Sequence, residues 1–189
     1  MKTTLVNIYG APGSGKSTLA TELYTHMKQQ GESVELVREC IKKWSWQKYK
    51  PSIFEQIYIT NQQMLEETAL YGKVEYLITD SPIHLGAFYC NYYHGSNALD
   101  ELNKHIQVEG KIKGILDKSI HLYLPIEESI YKEEGRYSSL EEAKYLDKRL
   151  TEFLKFNDLR TLNGAVCNRM ISSIEFINKD RQVQKIIVS

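Results

Sequence analysis

The sequence predicts an α/β fold built on a parallel sheet with helices on its faces. An apolar run at residues 3–9 has the character of a buried strand. Leu19, Leu23 and Met27 then recur at helical spacing. Gly31 then stops the helix, and a second strand is predicted at residues 33–38. Strand, helix and strand in this order form a βαβ unit, which places its two strands parallel in one sheet.

The composition is that of a single globular domain without a charge bias. The chain has 189 residues, 42% of them hydrophobic, and no apolar run is long enough to span a membrane. Lys plus Arg and Asp plus Glu both number 24, so the net charge is zero, which argues against broad adhesion to nucleic acid or membrane. Cys40, Cys90 and Cys167 form no C-x-x-C pair, and Met1 lies too close to the first strand for a leader. We expect one domain over residues 1–189 in a cytoplasmic, reducing compartment.

The glycine-rich segment between the first strand and the first helix matches a phosphate-binding P-loop. Residues 10–17 follow G-x-x-x-x-G-K-[ST] at a strand-to-helix turn, where that loop works. Its glycines let backbone N–H groups approach an anion, and the following helix adds a favourable dipole. A glycine-rich turn without a ligand is the alternative interpretation. The predicted ATP-binding residues are Gly10, Ala11, Pro12, Gly13, Ser14, Gly15, Lys16, Ser17 and Thr18.

Three side chains are candidates to hold phosphate and metal. Lys16 offers a mobile charge to the β- and γ-phosphates, and Ser17 offers a hydroxyl to Mg²⁺. Asp80 ends a third predicted strand at residues 74–80, where a carboxylate beside the P-loop strand would hold the metal or its water. A turn-forming Asp before Ser-Pro is the alternative for Asp80. The pattern predicts ATP and Mg²⁺ as cofactors.

Two further charged residues are candidates for catalysis. Glu39 follows the second strand, and open α/β sheets bind ligands at the carboxyl ends of their strands. It is a candidate general base or hydroxyl anchor, or else a solvated carboxylate at a strand end. Arg136 lies in a charged, glycine-containing stretch at about residues 126–138. A loop arginine that closes over a nucleotide would neutralise charge on the transferred phosphoryl group, whereas a surface arginine would pair with a neighbouring glutamate.

The segment after Glu39 interleaves cations with indoles, which suits an acceptor site. Lys42 and Trp46 would steer a phosphate and stack a base, or they would pack as an ordinary loop on the sheet edge. Gln56 on the next helix is a candidate to contact a base edge, although amides on helices are usually solvated. Cys90 and His94 have ligand-like spacing without further partners nearby, so we predict no zinc site.

The rest of the chain continues the alternation of helices and strands. A helix is predicted from Ser52, with one side formed by Phe54, Ile57, Tyr58, Asn61, Leu65 and Thr68. The other predicted elements are helices at 83–93, 98–118, 140–153 and 168–178 and strands at 120–124 and 159–162. The apolar tail at residues 183–188 is assigned to no element. An aromatic stripe expected to lie in the core comprises Phe88, Tyr89, Tyr92 and Tyr93.

Over about its first 155 residues the chain resembles small P-loop kinases, in particular the AAA-like kinase-type proteins common in bacteriophage genomes and related to the nicotinamide riboside kinase domain. The residues that carry the resemblance are 10–17, Glu39, Lys42, Trp46, Thr79-Asp80-Ser81-Pro82, Gly135-Arg136-Tyr137, Glu141-Glu142-Ala143 and Asp147. It implies a five-stranded parallel sheet with helices on both faces, with the P-loop and Asp80 strands adjacent, and a short lid at about 126–138. The thymidylate kinase group is similar at Arg38-Glu39, but Ser81 stands where that group carries an arginine, which disfavours a nucleoside monophosphate acceptor.

Together these features predict an ATP- and Mg²⁺-dependent kinase that transfers the γ-phosphoryl group to a hydroxyl of a nucleoside-like acceptor. The resemblance implies that this acceptor includes 5-hydroxymethyluracil in phage DNA, in which case the protein would work in the host cytoplasm. Two alternatives stay open: a nucleoside monophosphate kinase, and a nucleotide-dependent ATPase or switch protein that binds a partner. The expected catalytic residues are Lys16, Glu39 and Arg136.

Overall fold

The computed structural model describes residues 2–40, 44, 47, 49, 51–113, 119–132, 138–154, 159–164 and 166–188. Its strands are β1 (Thr4–Tyr9), β2 (Val34–Val37), β3 (Tyr76–Thr79), β4 (Ser119–Tyr123) and β5 (Arg160–Thr161). Its helices are α1 (Lys16–Gln29), α2 (Ile53–Leu70), α3 (Ile83–His94), α4 (Ser96–Lys113), α5 (Leu140–Phe153) and α6 (Val166–Val188).

The strands form one five-stranded parallel sheet in the order β2-β3-β1-β4-β5. Strand β1 lies at the centre, with β3 on one side and β4 on the other. Asn7 of β1 is in register with Thr79 of β3 and with His121 of β4. Because all strands are parallel, the P-loop after β1 and Asp80 after β3 lie at the same edge. The predicted sheet, including the adjacency of these two strands, is confirmed.

Helices cover both faces of the sheet, as predicted. On one face, alternate strand residues such as Val6 and Ile8 pack against α1 and α6. On the other face, Tyr9 and Tyr123 pack against α3 and α5. Burial on both faces explains why every residue of the central strands β1 and β3 is buried.

Helix α2 has its polar side inward. It begins at the capping box of Ser52 and Glu55, in which each side chain bonds the backbone N–H of the other residue. Four of its six buried residues are polar and are spaced i, i+4, i+7 and i+11: Gln56, Thr60, Gln63 and Glu67. The other two are Ile59 and Met64. Its exposed large apolar residues are Phe54 (81%), Tyr58 (55%) and Leu65 (52%). The large apolar residues of the predicted side therefore face solvent, except Ile57, which packs partly buried against the core. The helix presents mainly hydrogen-bonding groups inward.

Helix α6 runs to Val188 and takes in the apolar tail, which the sequence pattern assigns to no element. The pattern predicts that this helix ends at 178, but the helix extends beyond Arg181. Both arms of the Arg181 guanidinium bond the Glu32 carboxylate over 2.7 Å. This ion pair fixes α6 to the turn that follows α1. Among the described residues, no helix is both long and apolar enough to cross a membrane.

Candidate active site

The N-terminus of α1 is built to accept an anion. Gly15 occupies the N-cap position in the left-handed conformation (φ 94°), and no side chain caps the helix. The first turn of α1 also carries no acidic residue. The first N–H groups of a helix have no partner within the helix and lie at the positive end of its dipole. A phosphate group is the ligand that such an uncapped, acid-free terminus suits best.

Two loop positions require glycine. Gly10 has φ 152°, and a Cβ atom there would collide with the Ser14 side chain and the Leu124 carbonyl. Gly13 has φ 91°, and a Cβ atom there would enter the ring of Tyr131. Glycine therefore lets the P-loop lie directly against the end of β4 and against an aromatic residue of the predicted lid.

The Lys16 ammonium group is hydrogen-bonded to the backbone of the P-loop. Its Nζ atom donates to the carbonyl of Gly10 over 2.8 Å and to that of Ala11 over 3.0 Å. These bonds keep the ammonium group over the backbone that surrounds the expected phosphate position. A bound phosphate would offer the same donor stronger, charge-assisted acceptors. The role of Lys16 as a phosphate-binding lysine stays a prediction.

Asp80 and Glu39 lie together at the carboxyl ends of β3 and β2. The backbone N–H of Glu39 donates to Asp80 Oδ1 over 2.9 Å. Asp80 is 4% exposed, whereas Glu39 is exposed. The two carboxylates thus share one corner of the sheet but meet different surroundings. The buried one is fixed by the backbone, and the exposed one is accessible to a substrate.

A buried polar chain supports β3 just before Asp80. Gln63 of α2 donates to Thr79 Oγ1 over 3.0 Å and to Glu67 Oε1 over 3.2 Å. Thr79 Oγ1 in turn accepts from the N–H of Ser81 over 3.2 Å. Burial raises the pKa of Glu67 to about 8, so this carboxyl is protonated at neutral pH. The turn that carries Asp80 is therefore tied to α2 through neutral hydrogen-bonding groups.

Two tyrosines and two histidines lie close to this corner. Burial, and then the negative charge of Glu39, raise the pKa of Tyr89 on α3, so its phenol stays protonated beside the site. Behind the P-loop strand, the Tyr9 hydroxyl lies 3.0 Å from His121 Nδ1 and 3.4 Å from His84 Nδ1. Burial lowers the pKa of His84 to about 4, so this imidazole is uncharged at neutral pH.

The oxygen atoms present suit Mg²⁺. Ser17 lies in the first turn of α1, and Asp80 supplies a carboxylate that a backbone N–H fixes. Mg²⁺ prefers such hard oxygen ligands and is usually held by one or two protein groups plus phosphate and water. In the described part of the chain, no group of three or more His, Cys, Asp or Glu side chains is gathered around a potential metal position.

Of the side chains still to be located, Gln56 lies within the described part of the chain. Gln56 is 4% exposed, and its Nε2 atom lies 3.5 Å from the carbonyl of Gly86 on α3. The solvated alternative for this amide is therefore wrong, while a role in acceptor binding stays a prediction. Lys42, Trp46 and Arg136 lie outside the described residues.

Two residues near the P-loop were not predicted from the sequence. Tyr131 packs its ring on Gly13 and donates its hydroxyl to the Ser138 carbonyl over 2.7 Å. Arg169 of α6 donates to the Ser14 carbonyl over 2.8 Å. Tyr131 falls in the segment predicted as a lid, which is a weak signal. Arg169 sits in a mixed polar helix with nothing in its local sequence to mark it.

Comparisons with known families and solved structures identify the family and the fold. The family model described as AAA domain matches residues 5–163, so the chain belongs to that family. No curated protein matches the sequence. Among solved structures, a deoxyadenosine kinase from M. mycoides with bound dATP is similar with a TM-score of 0.56 and 18% identity, covering 92% of this chain and 99% of that one.

Two other solved structures have the same fold. A thymidylate kinase from Candida albicans matches with a TM-score of 0.57 and 16% identity, covering 95% of this chain and 93% of that chain. An APS kinase from Mycobacterium tuberculosis matches with a TM-score of 0.54 and 12% identity, covering 94% of this chain and 99% of that chain. The chain therefore has the α/β fold of P-loop kinases.

Proposed function

We propose that the protein is an ATP- and Mg²⁺-dependent kinase that transfers the γ-phosphoryl group to a hydroxyl of a nucleoside-like acceptor. The observation that carries the proposal is the corner where Glu39 bonds Asp80, at the same sheet edge as the P-loop. A P-loop alone binds nucleotide, and many proteins with one hydrolyse it. The exposed Glu39, whose backbone is bonded to the buried Asp80, adds a carboxylate that can serve an acceptor hydroxyl.

The site residues divide the work according to their surroundings. Lys16 and the N–H groups of α1 bind the phosphates and stabilise the charge of the transferred group. Ser17 and Asp80 would hold Mg²⁺, which neutralises phosphate charge when bound. Glu39 orients the acceptor hydroxyl and takes its proton. Arg136 is proposed to close over the transferred group from the lid.

The acceptor is proposed to lie between the segment after β2 and helix α2. Lys42, Trp46 and Gln56 are the candidate contacts there, through charge, stacking and an amide. Support for a nucleoside-like acceptor comes from the fold shared with a deoxyadenosine kinase, whereas the fold shared with a thymidylate kinase fits the monophosphate alternative. We propose that the acceptor is a free nucleoside or 5-hydroxymethyluracil in phage DNA, and that residues 1–189 act as one cytoplasmic domain with a lid at about 126–138.

The test is a transfer assay with γ-labelled ATP and a panel of free nucleosides, nucleoside monophosphates and DNA containing 5-hydroxymethyluracil. We expect slow hydrolysis of ATP alone and faster consumption with one member of the panel, with the label recovered on that acceptor. Label on a nucleoside monophosphate would assign the protein to the monophosphate kinases. Hydrolysis that no member of the panel accelerates would favour an ATPase or switch protein.

A further inference from the structure

Arg169 joins three segments of the chain behind the P-loop. Its guanidinium belongs to α6 and is 2% exposed. The Nη1 atom donates to the Ser14 carbonyl over 2.8 Å. The Nη2 atom lies 3.3 Å from the Pro125 carbonyl and 3.3 Å from Glu127 Oε2. A single buried cation therefore links the P-loop to the chain that leaves β4 and enters the predicted lid.

The bond to Ser14 determines which way the P-loop peptide faces. A trans peptide unit is planar, so its carbonyl and its N–H point in opposite directions. When Arg169 draws the Ser14 carbonyl backward, the N–H of Gly15 points to the opposite side of the loop. Nη1 is also the nearest group to the position where a Cβ atom on Gly15 would lie, at 3.8 Å. Arg169 thus fixes a glycine peptide that would otherwise rotate at little steric cost.

The same guanidinium also contacts the segment just after β4, at Pro125 and Glu127. Glu127 is its charged partner, and the adjacent Ile126 N–H donates to Asp147 Oδ2 of α5 over 3.0 Å. The Nε atom of Arg169 is buried and has no hydrogen-bond partner among the described residues. Burying a guanidinium with an unmet donor costs free energy, which a purely structural contact between α6 and the sheet would avoid by using an apolar side chain.

We propose that Arg169 is a positioning residue of the nucleotide site, which orients the Ser14–Gly15 peptide for phosphate and links it to Pro125 and Glu127 after β4. The inference rests on the proposed nucleotide function but requires no acceptor. Arg169 acts through the P-loop backbone, so its replacement should weaken nucleotide binding even when the fold is intact. A lysine would retain the charge but cannot span Ser14, Pro125 and Glu127 with a planar fork.

The experiment measures the affinity of the full chain for ADP and for ATP with Mg²⁺ by calorimetry, alongside thermal unfolding. We expect ADP binding to weaken about tenfold in Arg169→Lys and about a hundredfold in Arg169→Met, as loss of a charge-assisted bond to a binding loop implies. The matched control is Arg181→Met, which removes an arginine of the same helix that bonds Glu32 far along the chain from the P-loop. That control should lower the unfolding temperature and keep ADP affinity within about twofold.

Glu127→Gln weakens the contact of Arg169 with Glu127 and leaves its contacts with Ser14 and Pro125 in place. ADP affinity should then stay within about twofold of wild type. The proposal is overturned if Arg169→Lys binds ADP as wild type does, or if Arg169→Met loses no more affinity than Arg181→Met. Should Arg169→Met fail to fold, Arg169→Lys decides. A wild-type chain that binds neither ADP nor ATP would instead refute the proposed nucleotide function.

Discussion

The backbone N–H of Glu39 donates a hydrogen bond to Asp80 Oδ1 over 2.9 Å. This bond joins the ends of β2 and β3, where the two residues differ in exposure to solvent. Asp80 is buried and held by the backbone, so it suits a fixed task such as holding a metal. Glu39 is exposed, so a substrate hydroxyl can reach it. Single substitutions should therefore separate the two roles.

Replacement of Lys16 tests the phosphate site. Lys16→Ala should leave the fold intact, because the Lys16 ammonium bonds carbonyls of its own loop and its side chain is not part of the buried core. It should lower phosphoryl transfer by about a hundredfold or more, equivalent to roughly 3 kcal/mol of transition-state stabilisation. The measurement is turnover with ATP and the identified acceptor, with circular dichroism to verify folding.

The control for Lys16→Ala is Lys28→Ala on the same helix. Lys28 pairs with Glu35 over 2.8 Å at the far end of α1. Its removal should change turnover by less than about twofold, because an exposed ion pair contributes little. If folded Lys16→Ala turns over as fast as Lys28→Ala, the P-loop does not bind the transferred phosphate.

Replacement of Asp80 tests metal use. In Asp80→Asn the amide oxygen can still accept from the Glu39 N–H, so the corner keeps its shape while the charge is lost. The Mg²⁺ concentration for half-maximal turnover should rise about tenfold or more, because a carboxylate ligand has become neutral. The matched control is Asp100→Asn on α4, where the side chain is exposed. Identical Mg²⁺ titrations for the two variants would mean that Asp80 is only a turn residue.

Replacement of Glu39 tests whether the site serves an acceptor. Glu39→Gln should keep ATP affinity within about twofold and lower transfer by about a hundredfold, as expected for a lost general base. Glu35→Gln, which changes a carboxylate on β2 that pairs with Lys28, is the control. Calorimetry with ATP and acceptor-dependent turnover are measured on both variants. Full turnover in Glu39→Gln would exclude the role as base.

Local pattern is sufficient for the framework of the fold. The apolar runs before Gly10 and Asp80 and the glycine-rich turn follow from rules that act over a few residues. Because the carboxyl ends of parallel strands meet at one edge, the sequence alone predicts that Lys16, Glu39 and Asp80 lie near one another. The number of strands in the sheet, in contrast, is an expectation that only the resemblance to a family supplies.

The orientation of α2 could not be predicted in this way. Its inward side is polar because it faces Thr79, whose neighbours in the sheet are set by pairing between strands far apart in sequence. The role of Arg169 is unpredictable for a similar reason, since 155 residues separate it from its partner Ser14. A contact of this kind depends on where a terminal helix docks, and no local sequence signal records it.

The close approach of α2 and α3 gives a test of packing. A Cβ atom on Gly86 would lie 2.5 Å from Thr60 Oγ1 and 3.4 Å from both Cβ and Cγ2 of Thr60. Gly86→Ala should therefore destabilise the fold by about 1 to 3 kcal/mol through overpacking. The double variant Gly86→Ala with Thr60→Ala should recover part of that loss, because the hydroxyl in the way is gone. Urea unfolding of the single and double variants measures this coupling, and strictly additive losses would contradict the contact.

The last prediction concerns the buried carboxyl of Glu67, whose pKa is raised from 4.5 to about 8 by burial. Below pH 4.5 the folded and unfolded chains both hold this proton, so the carboxyl does not make the free energy of unfolding depend on pH. Between pH 4.5 and about 8 only the unfolded chain releases the proton, and stability falls as the pH rises. Above about pH 8 both states are ionised and this contribution is constant.

Glu67→Gln removes this dependence and keeps an oxygen to accept from Gln63. The free energy of unfolding of Glu67→Gln, relative to that of wild type, should increase from pH 5 to pH 8. By pH 7 this increase should amount to at most roughly 3 kcal/mol. Urea unfolding at several pH values measures the difference, in which the opposite contribution of His84 cancels because both chains carry it. Glu175→Gln, which changes an exposed carboxylate on α6, is the control and should follow wild type. Parallel curves for wild type and Glu67→Gln would mean that Glu67 is ionised in the folded protein.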